Sequence, residues 1–299
     1  MEHPVIDFHI HIPRPEVWYR GQHDLALQLN EALLRECHLF GHVPYLVSYL
    51  RRQGIDYAVI MAEESTKVTG LVSSEFVIDA CEEADGPLFA FVGMEPVPSP
   101  TMVEDVTRLA TSRWVKGVKL LPSYQHFSPD DAAMYPLYEM AESRGLLMTF
   151  HTGSSVFAGT IEELANPLLL EPVARRFPGL NLLLAHSGRK HWYPEAERMA
   201  REHPNVFLEI SGLPPTRLPS YFPRLPELAG KMVFGSDLPM VPSLRDNIAA
   251  VRQVFGAAAA RTVLWENGAR LLGLESAPEA NSGDQKAPLG DPSQEPAQD

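Results

Sequence analysis

The chain has 299 residues, 45% of them hydrophobic, with a formal net charge of −13 and a sequence pI near 5.3. That length buries a large core in one α/β domain or two smaller ones, and the acidity excludes a nucleic-acid-binding surface, which needs a basic footprint. Cys37 and Cys81 are the two cysteines, so a disulfide framework and a thiolate zinc site are both excluded, and any metal must take nitrogen and oxygen ligands.

Apolar runs of strand length recur at 5–11 (VIDFHIH), 57–62 (YAVIMA), 88–93 (LFAFVG), 114–121 (WVKGVKLL), 146–151 (LLMTFH), 180–186 (LNLLLAH), 205–210 (NVFLEI) and 232–237 (MVFGSD), and they predict eight strands. The first strand is followed by an insertion, 12–43, predicted to hold a short helix and to lie over the top of the sheet, where such segments commonly carry specificity. Its leucine-rich part (LALQLNEALL) reads as packing. Amphipathic stretches predict helices at 131–144, 167–177, 193–202, 243–255 and 262–273, and Gly54, Gly145 and Pro178-Gly179 supply helix stops. The tail from Ser276 is rich in Pro, Gly, Ser and acidic residues, and is expected to be disordered.

Eight strands alternating with helices is the arithmetic of a (β/α)8 TIM barrel over residues 1–275, with the tail 276–299 outside it. A doubly wound open sheet is the runner-up; no Gly-x-Gly-x-x-Gly follows the first strand to support its dinucleotide-binding version. The first residues lack a basic segment followed by a long apolar stretch, and no apolar run reaches the roughly 18 residues of a membrane span. The expectation is a soluble cytoplasmic protein with no membrane partner, and a homo-oligomer is open to it.

The first strand also carries the first sign of chemistry. Under strict alternation Asp7, His9 and His11 share one face and Ile6, Phe8 and Ile10 the other. Burying three ionisable groups side by side is costly unless something receives them, and a divalent metal would. Composition alone yields a His-x-His about 0.4 times in such a chain, so the pair gains meaning only from partners. Those stand at strand ends: Lys119 (GVKLL), His151 (LLMTFHTG), His186 (LLLAHSG) and Asp237 (VFGSDLP). In a barrel the carboxyl ends of the strands meet on one face. Each residue has an ordinary reading alone, as a core histidine, a rim lysine or a turn aspartate; the joint pattern points to a metal site.

Such a nitrogen and oxygen donor set suits Zn2+ best, with Mn2+ or Fe2+ as alternatives. Asp7 would either orient a ligand's ring N–H or be held by backbone. Tyr124 and His126 (LPSYQHF) and Ser211 (EISGLPP) follow strands four and seven, within reach of the substrate. Trp18, Tyr19 and Arg20 would form a lid for an acidic, aromatic substrate, or simply anchor the insertion. Glu209 is assigned no role.

The order DFHIH, GVK, HTG, AHSG, GSDLP and WENGARLLGL resembles the amidohydrolase superfamily, and LEPVARRFPGLNLLLAHSGRKHWYPEAERMAREHPNVFLEISGLPP is similar to its amidohydrolase-2 branch. The resemblance spans about residues 5–274 and implies a TIM-barrel metal-dependent enzyme. It implies that His9, His11, His151 and Asp237 bind a divalent metal, with His186 beside it as acid or base. In a binuclear site Lys119 would be a carboxylated bridge and His186 a second-ion ligand.

The expected activity is hydrolysis of an ester, lactone or amide bond in a small, acidic organic substrate by metal-activated water. Asp237 moves the proton and His186 polarises the carbonyl or donates a hydrogen bond. The alternative is non-oxidative decarboxylation of an aromatic or muconate-like acid, with His186 protonating carbon. What separates them is whether carboxylate-binding arginines, among Arg14, Arg20, Arg189 and Arg217, reach the site. A non-catalytic binding protein predicts a missing ligand or base, and none is missing. A histidinol-phosphatase-type phosphoesterase fits the GSD strand end poorly.

Overall fold

The computed structural model describes residues 3–96 and 101–274; the predicted tail lies outside them. Its strands are β1 (Ile6–Ile10), β2 (Tyr57–Met61), β3 (Glu63–Ser65), β4 (Gly70–Val72), β5 (Leu88–Gly93), β6 (Val115–Leu120), β7 (Leu147–Gly153), β8 (Leu182–Arg189), β9 (Val206–Glu209) and β10 (Met232–Val233). Eight of them form one parallel sheet in the order β1-β2-β5-β6-β7-β8-β9-β10. The chain beyond β10 stitches that sheet back to β1. Phe8 N donates to Phe234 O (2.8 Å), Asp237 N to His9 O (2.9 Å) and His11 N to Leu238 O (2.8 Å). With helices between the strands, the architecture is a TIM barrel.

Side chains sort into two layers. Ile6, Phe8, Val59, Met61, Phe91 and Leu147 belong to an inner cluster fed by nearly every barrel strand and joined by Trp265, Ala269 and Leu272 of the last helical segment. Ile10, Ala58, Ile60 and Val118 belong to the outer layer, with helix residues such as Leu46, Val77 and Leu137. At Gly117 of β6 a Cβ would lie 2.6 Å from Leu147 O and 2.9 Å from the Phe91 ring, so the interior admits only glycine there.

A β-bulge corrects the strict alternation expected of the first strand. Asp7 pairs with Ala58 and Ile10 with Ile60, three steps on β1 against two on β2. Ile6 and Phe8 therefore face the interior together with His9 and His11, whereas Asp7 shares the side of Ala58. The Asp7 Oδ1 accepts from the backbone N–H groups of His9 (3.0 Å) and Ser236 (2.9 Å), so backbone holds this carboxylate.

The insertion carries a full helix, Arg20–Arg35, rather than a short one, with non-helical backbone at Asn30. Asn30 donates to Val241 O (2.8 Å) and accepts from Leu33 N (3.2 Å), capping the second half of that helix. The β3–β4 hairpin, unforeseen in the sequence, follows β2 and bridges to Trp18 through Gly70. The helix Tyr193–Glu202 lies where periodicity puts it. Among the described residues, no helix is long and apolar enough to cross a membrane.

Candidate metal centre

Four histidines, on or just beyond the ends of three strands, turn their rings toward one another at the carboxyl end of the barrel. His9 and His11 Nε2 are 3.2 Å apart, and Asp237 Oδ1 lies 3.7 and 3.8 Å from them. The His186 ring centroid is 5.1 Å from that of His9 and 4.8 Å from that of His151. Lys119 Nζ is 3.4 Å from His9 Nε2. A tetrahedral ion at about 2.0–2.1 Å from two imidazoles sets their nitrogens about 3.3 Å apart, close to the separation seen.

The far side of three of these rings is hydrogen-bonded, and that of His11 faces a carboxylate without bonding to it. His9 Nδ1 lies 2.6 Å from Glu209 Oε2, His186 Nδ1 is 3.0 Å from Ser211 O, and His151 is hydrogen-bonded to the Gly153 backbone. His11 Nδ1 stands 3.4 Å from Glu63 Oε2. Partners on the far nitrogen fix tautomer and ring orientation in metal sites. His151 Nε2 is buried without any hydrogen-bond partner, as a nitrogen reserved for an ion would be.

Burial pushes His9, His151 and His186 well below the usual histidine range, and nearby cations, Lys119 and Arg189 among them, add to this. Burial takes His11 to about 4 against the pull of Asp237. All four are neutral at pH 7, the ligating form. Burial also lowers Lys119 to about 8 and raises Glu209 to about 8, each opposed by the other's charge. The donor set, the partnerless His151 nitrogen and the neutral rings fit a divalent ion.

The backbone is bent to make this arrangement. His186 (φ 62°), Ser187 (φ 48°) and Asp237 (φ 68°) adopt left-handed conformations, which cost about 1–3 kcal/mol each and cluster at functional sites. At Gly212 a Cβ would lie 2.9 Å from both Arg189 Nη1 and Asp237 Oδ2, and at Gly235 it would collide with the Glu209 carboxylate. A second group of ligand-type residues, Glu171, Glu202 and His203, is already claimed by Arg175 and Arg198, which hold Glu171 at 2.6 and 2.8 Å.

The family model for amidohydrolases matches residues 6–274. The chain belongs to the amidohydrolase-2 family. Its members include hydrolases and decarboxylases. Solved structures agree on the fold. An uncharacterized TIM-barrel protein from Bordetella bronchiseptica is 20% identical, covers 91% of this chain and 99% of its own, and has a TM-score of 0.75. A 2,6-dihydroxybenzoate decarboxylase from Rhizobium is 12% identical, with coverage of 91% and 99% and a TM-score of 0.65. A probable 2-pyrone-4,6-dicarboxylic acid hydrolase from Acinetobacter baumannii is 14% identical, with coverage of 91% and 100% and a TM-score of 0.59. A search of curated proteins gave no match.

Of the residues singled out in the sequence, His9, His11, Lys119, His151, His186 and Asp237 all line one pocket of about 470 Å3, with Trp18 and Tyr124. Others do not. His126 is exposed and its Nε2 is bound to Gly159 O at 2.7 Å. The Arg20 side chain is 94% exposed beside Asp24, and Tyr19 reaches away to donate to Thr66 O (2.6 Å). Both leave the expected lid to Trp18. Ser211 is fully buried, its Oγ donating to Glu209 (2.8 Å) and standing 3.0 Å from both His9 Nδ1 and His186 Nδ1. It braces the histidines from behind rather than facing substrate. The leucine-rich helix also departs from expectation, since Leu25 and Leu29 line the pocket.

Two carboxylates were missed. Glu209, fully buried, backs His9 and takes Ser211 N at 2.6 Å; Glu63, on β3, stands behind His11 and accepts from Gln22 (3.1 Å). The available signal was a glutamate inside an apolar strand, NVFLEI, because a buried carboxylate requires a partner. Among the four candidate arginines, Arg189 lines the pocket. Arg14 lies over the Phe76 ring beside Glu16, and Arg217 is exposed.

Proposed function

We propose that this member of the amidohydrolase-2 family is a metal-dependent hydrolase acting on an ester, lactone or amide bond of a small organic acid. His9, His11, His151 and Asp237 would hold a divalent ion, Zn2+ first and Mn2+ or Fe2+ as alternatives, which would supply Lewis acidity and bring the pKa of bound water down to about 7. Two ions would require a carboxylated Lys119 and His186 as a ligand. The observation that carries the reading is the Asp237 carboxylate, 3.7–3.8 Å from both Nε2 atoms, next to the point where the rings converge. From there it takes the proton of the attacking water and returns it to the leaving group.

His186 is neutral and its Nδ1 proton goes to Ser211 O. Its Nε2 therefore offers a lone pair, suited to accepting a proton or binding an ion, rather than the hydrogen bond expected of it. This bears on the second reading, decarboxylation. Arg189 in the pocket favours an acid substrate, and a decarboxylase and a hydrolase both stand among the structural neighbours. Protonation of carbon by His186, however, requires the form that burial disfavours.

Metal content per chain tests the site, comparing protein prepared with zinc or manganese against His9→Ala/His11→Ala. The expected result is at least one ion, lost in the double variant. Asp237→Asn should stay folded and lose about 10²- to 10⁴-fold in turnover on a panel of lactones and aryl esters. Undiminished hydrolysis by that variant would rule out the role of Asp237, and folded wild type that takes up no metal would rule out the reading.

A further inference from the structure

The pocket has a charge balance and a wall chemistry that the reaction at its floor does not use. Arg189 Nε and Nη2 donate to Ser154 O (3.1 and 3.0 Å), a neutral acceptor, and its Nη1 points toward Gly212, on the side of the Asp237 carboxylate but without an ion pair to it. Glu63 and Asp237 line the pocket against Lys119, Arg189 and Lys190, and a bound divalent ion would make it more positive still. Such a site favours an anion.

Above this polar floor the wall turns apolar. Leu25 and Leu29 come from the inserted helix, Val156 and Phe157 from the loop after β7, and Met240 from the segment after Asp237. Leu29 is 37% and Val156 69% exposed, so the rim presents apolar surface that the fold itself leaves uncovered. At about 470 Å3 the pocket is in the range that encloses drug-sized ligands, more than a reacting ester or lactone group fills.

We propose that the substrate is an amphipathic organic anion whose anionic group pairs with Arg189 and whose alkyl or aryl arm lies in the Leu25–Leu29–Phe157 vestibule. This rests on the same pocket being the substrate site, as in the function proposed above. The insertion thereby selects for an apolar arm and against small polar acids.

The test uses the full-length protein and straight-chain carboxylates, butanoate, hexanoate and octanoate, titrated calorimetrically with bound metal counted in every sample. Each buried methylene should strengthen binding about fourfold. Leu25→Asn/Leu29→Asn should flatten that dependence, with a loss of affinity that grows from butanoate to octanoate. Both leucines are partly exposed, so the fold tolerates the change. Leu27→Asn, on the same helix but outside the pocket, should keep the full slope. Arg189→Met should weaken every chain length by about tenfold in metal-free protein, as expected for a lost charge-assisted hydrogen bond, without altering the slope.

A flat series in wild type, or a slope that survives the double leucine variant, overturns the apolar arm. Equal affinities in wild type and Arg189→Met overturn the anion pairing. A flat series in metal-loaded wild type would defeat this inference while leaving the metal centre standing. A slope in protein that takes up no ion would do the reverse.

Discussion

The two ends of the barrel interior are built from the same strands and solve opposite problems. β6 presents Gly117 below and Lys119 above; β7 presents Leu147 and then His151, β8 Leu183 and then His186, β9 Phe207 and then Glu209. Below, the requirement is volume, and at Gly268 of the closing helix a Cβ would lie 2.6 Å from the Phe8 ring. Above, the requirement is partners, and His9, His151 and His186 each have a carboxylate or a backbone carbonyl behind them, while Glu63 faces His11 without a hydrogen bond. Left-handed backbone appears above, at His186 and Asp237. Packing below leaves no room for a Cβ at Gly117 or Gly268, whereas the polar end above keeps buried nitrogens without a hydrogen-bond partner, His11 Nδ1 and His151 Nε2 among them.

The comparison breaks most visibly if the lower end is hollowed. Phe91 is fully buried against Gly117, and Phe91→Ala should cost about 3–5 kcal/mol in denaturant unfolding while the folded fraction keeps its metal. A cost near zero, or loss of the ion, would mean that the ends are not separable.

Asp7 sits outside both ends, and pH sharpens its case. Burial raises its carboxyl from 3.8 to about 7. A folded-state pKa above the unfolded value gives stability that is complete below about pH 4 and lost as pH rises through 7. Metal-free wild type should thus lose on the order of 4 kcal/mol over that interval relative to Asp7→Asn, whose amide oxygen still accepts from His9 N and Ser236 N. Parallel stability curves for the two proteins would show that Asp7 is ionised in the fold throughout.

Much of this was legible in the sequence. Strand-length apolar runs marked all eight barrel strands, and strand-end histidines pointed to a common bowl because parallel barrels bring carboxyl ends together. What escaped notice depends on contacts between distant residues. The bulge that turns His9 inward is a register slip between β1 and β2, and nothing in VIDFHIH announces it. Glu209 backs His9 across 200 residues of chain, and Glu63 is on a three-residue hairpin strand too short for periodicity to reveal. His126 stands two residues beyond Tyr124 after strand four, but its left-handed backbone (φ 63°) and its bond to Gly159 O turn it away.

The smallest effect distinguishes those two carboxylates. Glu209→Gln retains an acceptor for the Nδ1 proton of His9 and for Ser211 N, so the fold should stand, but the charge that raises the basicity of the ring is gone. Replacing such a partner lowers metal affinity about 10- to 100-fold, readable by competition with a chelator. Glu63 lies 3.4 Å from His11 Nδ1, against 2.6 Å for Glu209 and His9, and makes no hydrogen bond to it. Glu63→Gln should therefore weaken binding less than Glu209→Gln does. If the order were reversed, His11 rather than His9 would be the ligand on which the ion chiefly depends, and the β3–β4 hairpin with its Gln22 contact would be the structural support of the centre.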